Sequence, residues 1–311
     1  MTTRRWHGGE LRRDRLTGEW SVLAPGRAAR PHAPDGDCPF CPGPGEDTPP
    51  ESWRLPSADG RSWRVRTVPN RYALSDRHEV VIESPHHDWD LAAGTDAEVA
   101  DVLYGWQQRH IALRETAAQV VIFRNHGPAA GTSLPHPHSQ IAGLPVLSPG
   151  IRHRLDRYRE HHGRRGRTFA ADLLAEELRA KTRIVHAGEH AVVFAPFAPA
   201  ASYELRVLPR RIRADFATVP ADELGGVARV LRIALRALRD ELADPAYNLI
   251  VDTAPSGWEQ APFLAWSLRI LPRADVAAGL ELATGIPVVT TTPEQAAAAL
   301  RSKIADPVPA T

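Results

Sequence analysis

The order of apolar segments repeats once along the chain, and that repetition narrows the fold more than any figure of composition. In the first half, His78 to Glu83 reads as a strand, a helical stretch runs from Asp96 to about Thr116, and Gln119 to Arg124 reads as a second strand. A Gly/Pro-rich turn then leads to a third strand, Gln140 to Pro145. In the second half, His190 to Ala195 and Tyr203 to Leu208 are strands, and a Leu/Val/Ala-rich helix starts at Pro220 and Asp222 and ends near Leu242. Asn248 to Val251 and Trp266 to Leu271 complete the series. Strands adjacent in sequence with one helical crossover predict an α+β fold of two halves, each a mainly antiparallel sheet packed with helices, rather than a doubly wound parallel sheet. No GxGxxG or Walker loop contradicts this. The division falls between residues 1–165 and 166–311, where Arg152 to Arg167, dense in Arg and His, reads as a solvated connecting helix and loop.

Chemistry concentrates at His136-Pro137-His138, at the head of the third strand. Residues two apart on a strand share a side, and Pro137 biases His136 toward an extended backbone, so both imidazoles can serve one site, with Gln140 continuing the face. The chain has 14 histidines, so the pair gains meaning only from partners. Cys38-Pro39-Phe40-Cys41 contains the only two cysteines, spaced as a metal half-site with Pro42-Gly43 turning behind them. A closed tetrahedral zinc site needs two more ligands, and His87 and His136 can supply them. A redox pair and an incidental pair are the competing readings of CxxC; the redox form normally opens a helix, whereas prolines and glycines surround this one.

With 311 residues, 43% of them hydrophobic, the chain can bury a substantial core. Thirty-eight basic and 37 acidic side chains nearly cancel, so no global field argues for nucleic acid or an anionic membrane. No stretch approaches the roughly 18 apolar residues of a membrane span, and Met1 to His7 lacks an apolar signal core, which places the protein in the cytoplasm as an expectation.

Read in order, several short segments resemble the galactose-1-phosphate uridylyltransferase family, a branch of the histidine-triad superfamily, from about Leu16 to Arg301. They are Leu16-Thr17-Gly18-Glu19-Trp20, Arg27-Ala28-Ala29-Arg30-Pro31, the cysteine segment, Val68-Pro69-Asn70-Arg71-Tyr72, Glu79 to His87, Asn125-His126-Gly127, His136 to Gln140, and Gly279-Leu280-Glu281. The resemblance implies two histidine-triad-like halves, a homodimer, and transfer of a nucleoside monophosphate from a nucleotide sugar to a sugar phosphate, or to phosphate, through a histidine. It implies His138 as nucleophile, Gln140 as phosphoryl donor, and Cys38, Cys41, His87 and His136 as ligands of one structural Zn2+. A neutral imidazole suits such a double displacement, because it attacks phosphorus and leaves again with similar ease. By the same resemblance Arg27 and Arg30 reach phosphate oxygens, Asn70 lies near base and ribose, Asn125, Gly131 and Ser133 line the nucleotide, and Glu281 binds the hexose.

Departures from the family pattern bear on substrate. Ser139 follows the nucleophile where the uridylyltransferases have glycine, and serine there resembles the adenylyl-transferring sugar phosphorylases. In the second half Ala265-Trp266-Ser267 stands where the family commonly has His-Trp-His, so no second metal is expected, and Asp275 and Pro287 replace hexose-contacting residues. The leading expectation is UMP transfer from UDP-glucose to galactose 1-phosphate. ADP-glucose or dinucleoside polyphosphate phosphorolysis, and a non-catalytic nucleotide-binding relative, are the alternatives.

Overall fold

A computed structural model describes residues 3–6, 8–29 and 38–304, so Arg30 lies outside the described residues. Strands β1 (Thr3–Trp6), β2 (Gly9–Arg13) and β3 (Trp20–Leu23) form a small antiparallel sheet. The chain then contributes β4 (Trp53–Pro56), β5 (Trp63–Pro69), β6 (Arg77–Ile82), helix α1 (Asp96–Arg114), β7 (Gln119–His126) and β8 (His138–Leu144). Helices α2 (Pro149–Arg165) and α3 (Phe169–Ala180) follow. The second half adds β9 (Ile184–Ala187), β10 (Ala191–Phe194), β11 (Leu205–Pro209), α4 (Ala221–Leu242), β12 (Tyr247–Asp252) and β13 (Ser267–Pro272), then α5 (Gly279–Thr284) and α6 (Pro293–Ser302).

Ten of these strands make one sheet in the order β4-β5-β6-β8-β7-β12-β13-β11-β10-β9, antiparallel at every junction. Counted outward from the seam between β7 and β12, each half presents the same series, with α1 and α4 in matching crossovers. The α+β architecture with antiparallel halves is therefore the one the repeated segments predict. At the seam Asn125 lies opposite Asn248 and Arg124 opposite Leu249.

Local sequence explains the helices that cover one side of this sheet. Thr95 and Glu98 close a capping box at the start of α1, satisfying backbone donors that would otherwise have no partner. Val99, Val102, Leu103 and Trp106 of α1, and Leu224, Val227, Leu231, Leu235 and Leu238 of α4, recur at helical spacing and merge in one core with the strands beneath. On the other side of the sheet the halves differ. In β10, Ala191 and Val193 face the α4 core, whereas Val192 and Phe194 pack with Leu174 of α3. Ile151 and Leu155 of α2 are buried with Phe263 and Leu264, so the segment read as a solvated helix and loop is a helix to Arg165 with one apolar edge. Among the described residues the first half has no such cover over β5, β6 and β8 beyond a small cluster of Phe40, Trp63, Val68, Val80 and Ile82. That difference leaves its sheet face accessible. Among the described residues no helix is long and apolar enough to cross a membrane.

Candidate functional site

Strand β8 sorts its residues by side. Ser139 turns into the α1 core, where Trp106 Nε1 donates to its Oγ at 2.6 Å. His138 and Gln140, one residue to either side, face the uncovered surface and line the same cavity. All three are buried.

Before that strand, Cys38, Cys41, His87 and His136 converge, with all four ligand atoms within 4.8 Å of one another. Cys38 Sγ lies 3.6 Å from His136 Nδ1, and Cys41 Sγ lies 3.4 Å from His87 Nδ1 and 3.5 Å from His136 Nδ1. A tetrahedron with Zn–S of about 2.3 Å and Zn–N of about 2.0 Å has S···N edges of roughly 3.5 Å. The group thus fits a tetrahedral metal ion in donor type and spacing. The ring of His136 is turned to suit a metal: its Nε2 lies 2.8 Å from Ser84 O, and a carbonyl only accepts, so Nε2 carries the proton and Nδ1 turns its lone pair to the sulfurs. Burial lowers the pKa of His136, favouring the neutral ring that a ligand requires.

His138 uses its nitrogens the other way round. Its Nδ1 is 2.9 Å from His136 O and so holds the proton, leaving the lone pair on Nε2. Phe40, carried on the turn between the two cysteines, meets both rings edge-on, at 5.5 Å from His138 and 6.0 Å from His136.

Two cavities meet at His138. The first, about 290 Å³, is lined by Phe40, Val68, Asn70, Tyr72, Leu134 and Gln140, among others. The second, about 530 Å³, is bordered by Arg124, Asn125, His126, Thr132 and Asp244. Ser133, Leu134 and His138 belong to both. Among the sequence candidates, Asn70 therefore sits in the first cavity, Asn125 in the second and Ser133 between them. Gly131 takes a left-handed φ of 89° at the end of a single 3-10 turn leading to Ser133, a conformation that favours glycine. Arg27 lines neither cavity; its Nη1 donates to the carbonyl of Tyr72, a lining residue of the first, at 2.5 Å. Glu281 lines neither cavity; its carboxylate accepts from Ala278 N at 3.0 Å and caps α5. Asp275 accepts from Ser202 N at 2.8 Å.

Sequence reasoning missed the groups that hold these side chains. His78 Nε2 lies 3.0 Å from Gln140 Oε1. Arg124, 2% exposed, donates to Glu83, Asp90 and the Tyr247 hydroxyl beneath the second cavity. Asp244, from the second half, pairs with His126 Nε2 at 3.1 Å. The alternation of β6 and β7 could have flagged His78 and Arg124, as polar residues within apolar strands; nothing local marks Asp244. In the second half Ser267 opens β13 as His138 opens β8, and Arg269 takes the place of Gln140, bound to Asp252. Trp266 is buried against Phe216 at 5.0 Å.

Residues 75–147, which contain His78, His87, His136, His138 and Gln140, match the family model for galactose-1-phosphate uridyl transferase, N-terminal domain. The chain is similar to ADP-glucose phosphorylase of Arabidopsis thaliana, at 29% identity over 94% of this chain and 92% of that protein. A crystal structure of that enzyme with bound ADP-glucose superposes with a TM-score of 0.78, and a uridylyltransferase structure with a TM-score of 0.83 at 28% identity, each over 94% of this chain and 98% of the other. Galactose-1-phosphate uridylyltransferase of Streptomyces lividans is 30% identical over 86% of this chain and 74% of its own length. With that identity over that span, and the same fold, the chain belongs to the galactose-1-phosphate uridylyltransferase family of nucleotidyltransferases.

Proposed function

We propose that the chain moves a nucleoside monophosphate from a nucleotide sugar to a phosphate-bearing acceptor by two displacements on His138. His138 Nε2 attacks the α-phosphorus; the N–P bond forms as the bond from phosphorus to the bridging oxygen breaks, and the sugar 1-phosphate departs with the electron pair. A phosphate oxygen of the acceptor then attacks the same phosphorus, and the N–P electron pair returns to Nε2. The carrying observation is the hydrogen bond from His138 Nδ1 to His136 O, which assigns the lone pair to Nε2 on a ring that borders both cavities. The same carbonyl stabilises the positive charge the ring gains when phosphorylated. Gln140 offers its NH2 to the phosphoryl oxygens.

The first cavity, with Phe40, Val68 and Leu134 as apolar walls, suits the nucleoside, and the second, wider and more polar, suits the sugar phosphate and acceptor. Arg27, Asn70, Asn125, Gly131 and Ser133 are the residues we assign to nucleotide binding, with Arg30 added from the family pattern and Glu281 reserved for a hexose in an assembled dimer. Cys38, Cys41, His87 and His136 would hold one zinc ion, whose four protein ligands make it a structural clamp for the strand carrying His138. Residues 1–165 form the catalytic unit in this reading and 166–311 its supporting counterpart. The reduced cysteines that the site requires favour a cytoplasmic enzyme.

UDP-glucose with galactose 1-phosphate is the substrate pair this reading takes from the family. A second pair, ADP-glucose with inorganic phosphate, has support of its own in the match that spans 92% of ADP-glucose phosphorylase. Each donor is incubated alone with the enzyme and the protein mass is read: a uridylyl or an adenylyl adduct on His138 identifies the nucleotide. His138→Ala is expected to abolish the adduct and to lower turnover by at least about 10⁴-fold. Turnover by wild-type protein without any adduct, or an active His138→Ala enzyme, would sink the mechanism.

A further inference from the structure

A glutamine amide has two ends of opposite character, and a half-turn about its last torsion exchanges them. Only one orientation serves a phosphoryl group. With NH2 outward the side chain donates to the phosphoryl oxygens; with oxygen outward it repels them. What fixes Gln140 lies behind it.

The backbone N–H of Leu74 points at Nδ1 of His78 from 2.9 Å. An N–H can only donate, so Nδ1 carries the lone pair and the ring proton sits on Nε2, which faces Gln140 Oε1 at 3.0 Å. A second donor converges on the same oxygen. Tyr72 N donates to Asn70 Oδ1 at 2.8 Å, which turns the Asn70 NH2 toward Gln140 Oε1, 3.4 Å away. The Asn70 amide nitrogen and His78 Nε2, 3.3 Å apart, are thus two donors sharing one acceptor. Strand register sets up the encounter: β6 and β8 place Val80 opposite Gln140 and His78 opposite Ala142, so His78 and Gln140 are diagonal neighbours on one side of the sheet. His78 is 4% exposed, with the Phe123 ring 6.5 Å away.

We infer that His78 is a positioning residue for nucleotidyl transfer: its Nε2–H, set by the Leu74 amide, holds the Gln140 oxygen inward and so aims the Gln140 NH2 at the phosphoryl group. The inference rests on the role proposed above for Gln140. It makes the backbone N–H groups of Tyr72 and Leu74 part of the alignment of the transfer step.

A double-mutant cycle tests it, using the single-turnover rate of His138 labelling by whichever nucleotide sugar labels the wild-type protein. His78→Leu is expected to slow labelling by roughly 10- to 100-fold, less than the full loss of one stabilising donor, while nucleotide affinity changes by less than about threefold. In a Gln140→Ala background the same substitution is expected to change the rate by less than about threefold, because nothing is left to position. His78→Gln, which restores an N–H donor, should recover part of the rate. Equal losses in both backgrounds, or a loss confined to nucleotide affinity, would overturn the inference. If no nucleotide sugar labels the wild-type protein, the proposed function fails and the geometry is judged by ¹⁵N NMR instead. The His78 ring should then be the Nε2–H tautomer near neutral pH, with its Nε2 resonance moved by Gln140→Ala; the Nδ1–H tautomer, or an unmoved resonance, would refute the inference.

Discussion

His136 and His138 look equivalent as letters, and the spacing alone showed that both could face one site. Their division of labour depends on which nitrogen each ring presents, and that is set by two backbone carbonyls, Ser84 O and His136 O, whose positions no local pattern records. Ser139 is the sharper case. Its identity invites a role in reading the nucleotide, yet its hydroxyl accepts from Trp106 Nε1 at 2.6 Å on the far side of β8. Both side chains are fully buried, so no water replaces a partner lost there. Ser139→Ala is therefore expected to cost about 1–3 kcal/mol in chemical denaturation, the penalty for buried groups left without partners. The KM for the nucleotide sugar should move by less than about twofold, because the side chain removed faces the core. A tenfold KM change at unaltered stability would show instead that Ser139 reads the nucleotide.

At the scale of elements, α1, α4 and the strands flanking them were legible because their apolar positions recur with clear period. β5 was not, although its Val68 and Pro69 line the first cavity. In Trp63 to Pro69 arginines interrupt the apolar run, and the buried Arg66 is accommodated by Trp63, whose ring lies 4.9 Å from its guanidinium carbon, and by an ion pair with Glu46. Those contacts come from folding, not from local sequence. The cysteine turn was legible as a metal half-site, but its second use was not: the backbone bond from Cys41 N to Cys38 O, at 3.2 Å, carries Phe40 onto both imidazoles. The cysteine–histidine cluster and the first cavity thus share the Phe40 ring. Removing the metal with a chelator should release close to one zinc per chain, lower the melting temperature, and weaken nucleotide binding by roughly tenfold, the worth of one lost aromatic contact. Undiminished affinity with catalysis alone abolished would point to a Lewis acid and refute the structural assignment.

In the whole molecule a repeated architecture presents two different faces. The α2–α3 hairpin packs on the second half's sheet where the first half keeps its cavities, and Asp252 and Arg154 pair with each other beside Arg269 in the position that corresponds to Gln140. The repeat was visible in the sequence; the hairpin was not, because the basic side of α2 masks the two buried residues, Ile151 and Leu155. Segment 276–288 leaves Val276 89%, Leu280 57%, Leu282 80% and Ile286 63% exposed, and the described residues bury no side chain of α5. Such surface calls for a cover, and a second copy is the occupant the family reading supplies. Sedimentation should find a dimer that Leu280→Lys with Leu282→Lys converts to monomer; a wild-type monomer would sink this assignment. The seam between β7 and β12 carries a further consequence. Severed from its counterpart, the first half would expose the β12-facing edge of β7 from Ile122 to His126 as a bare row of backbone donors and acceptors, a template for any other extended chain. The second half thus covers an edge that would otherwise be open to aggregation, a duty that needs only backbone and is independent of the side chains at Ser267 and Arg269.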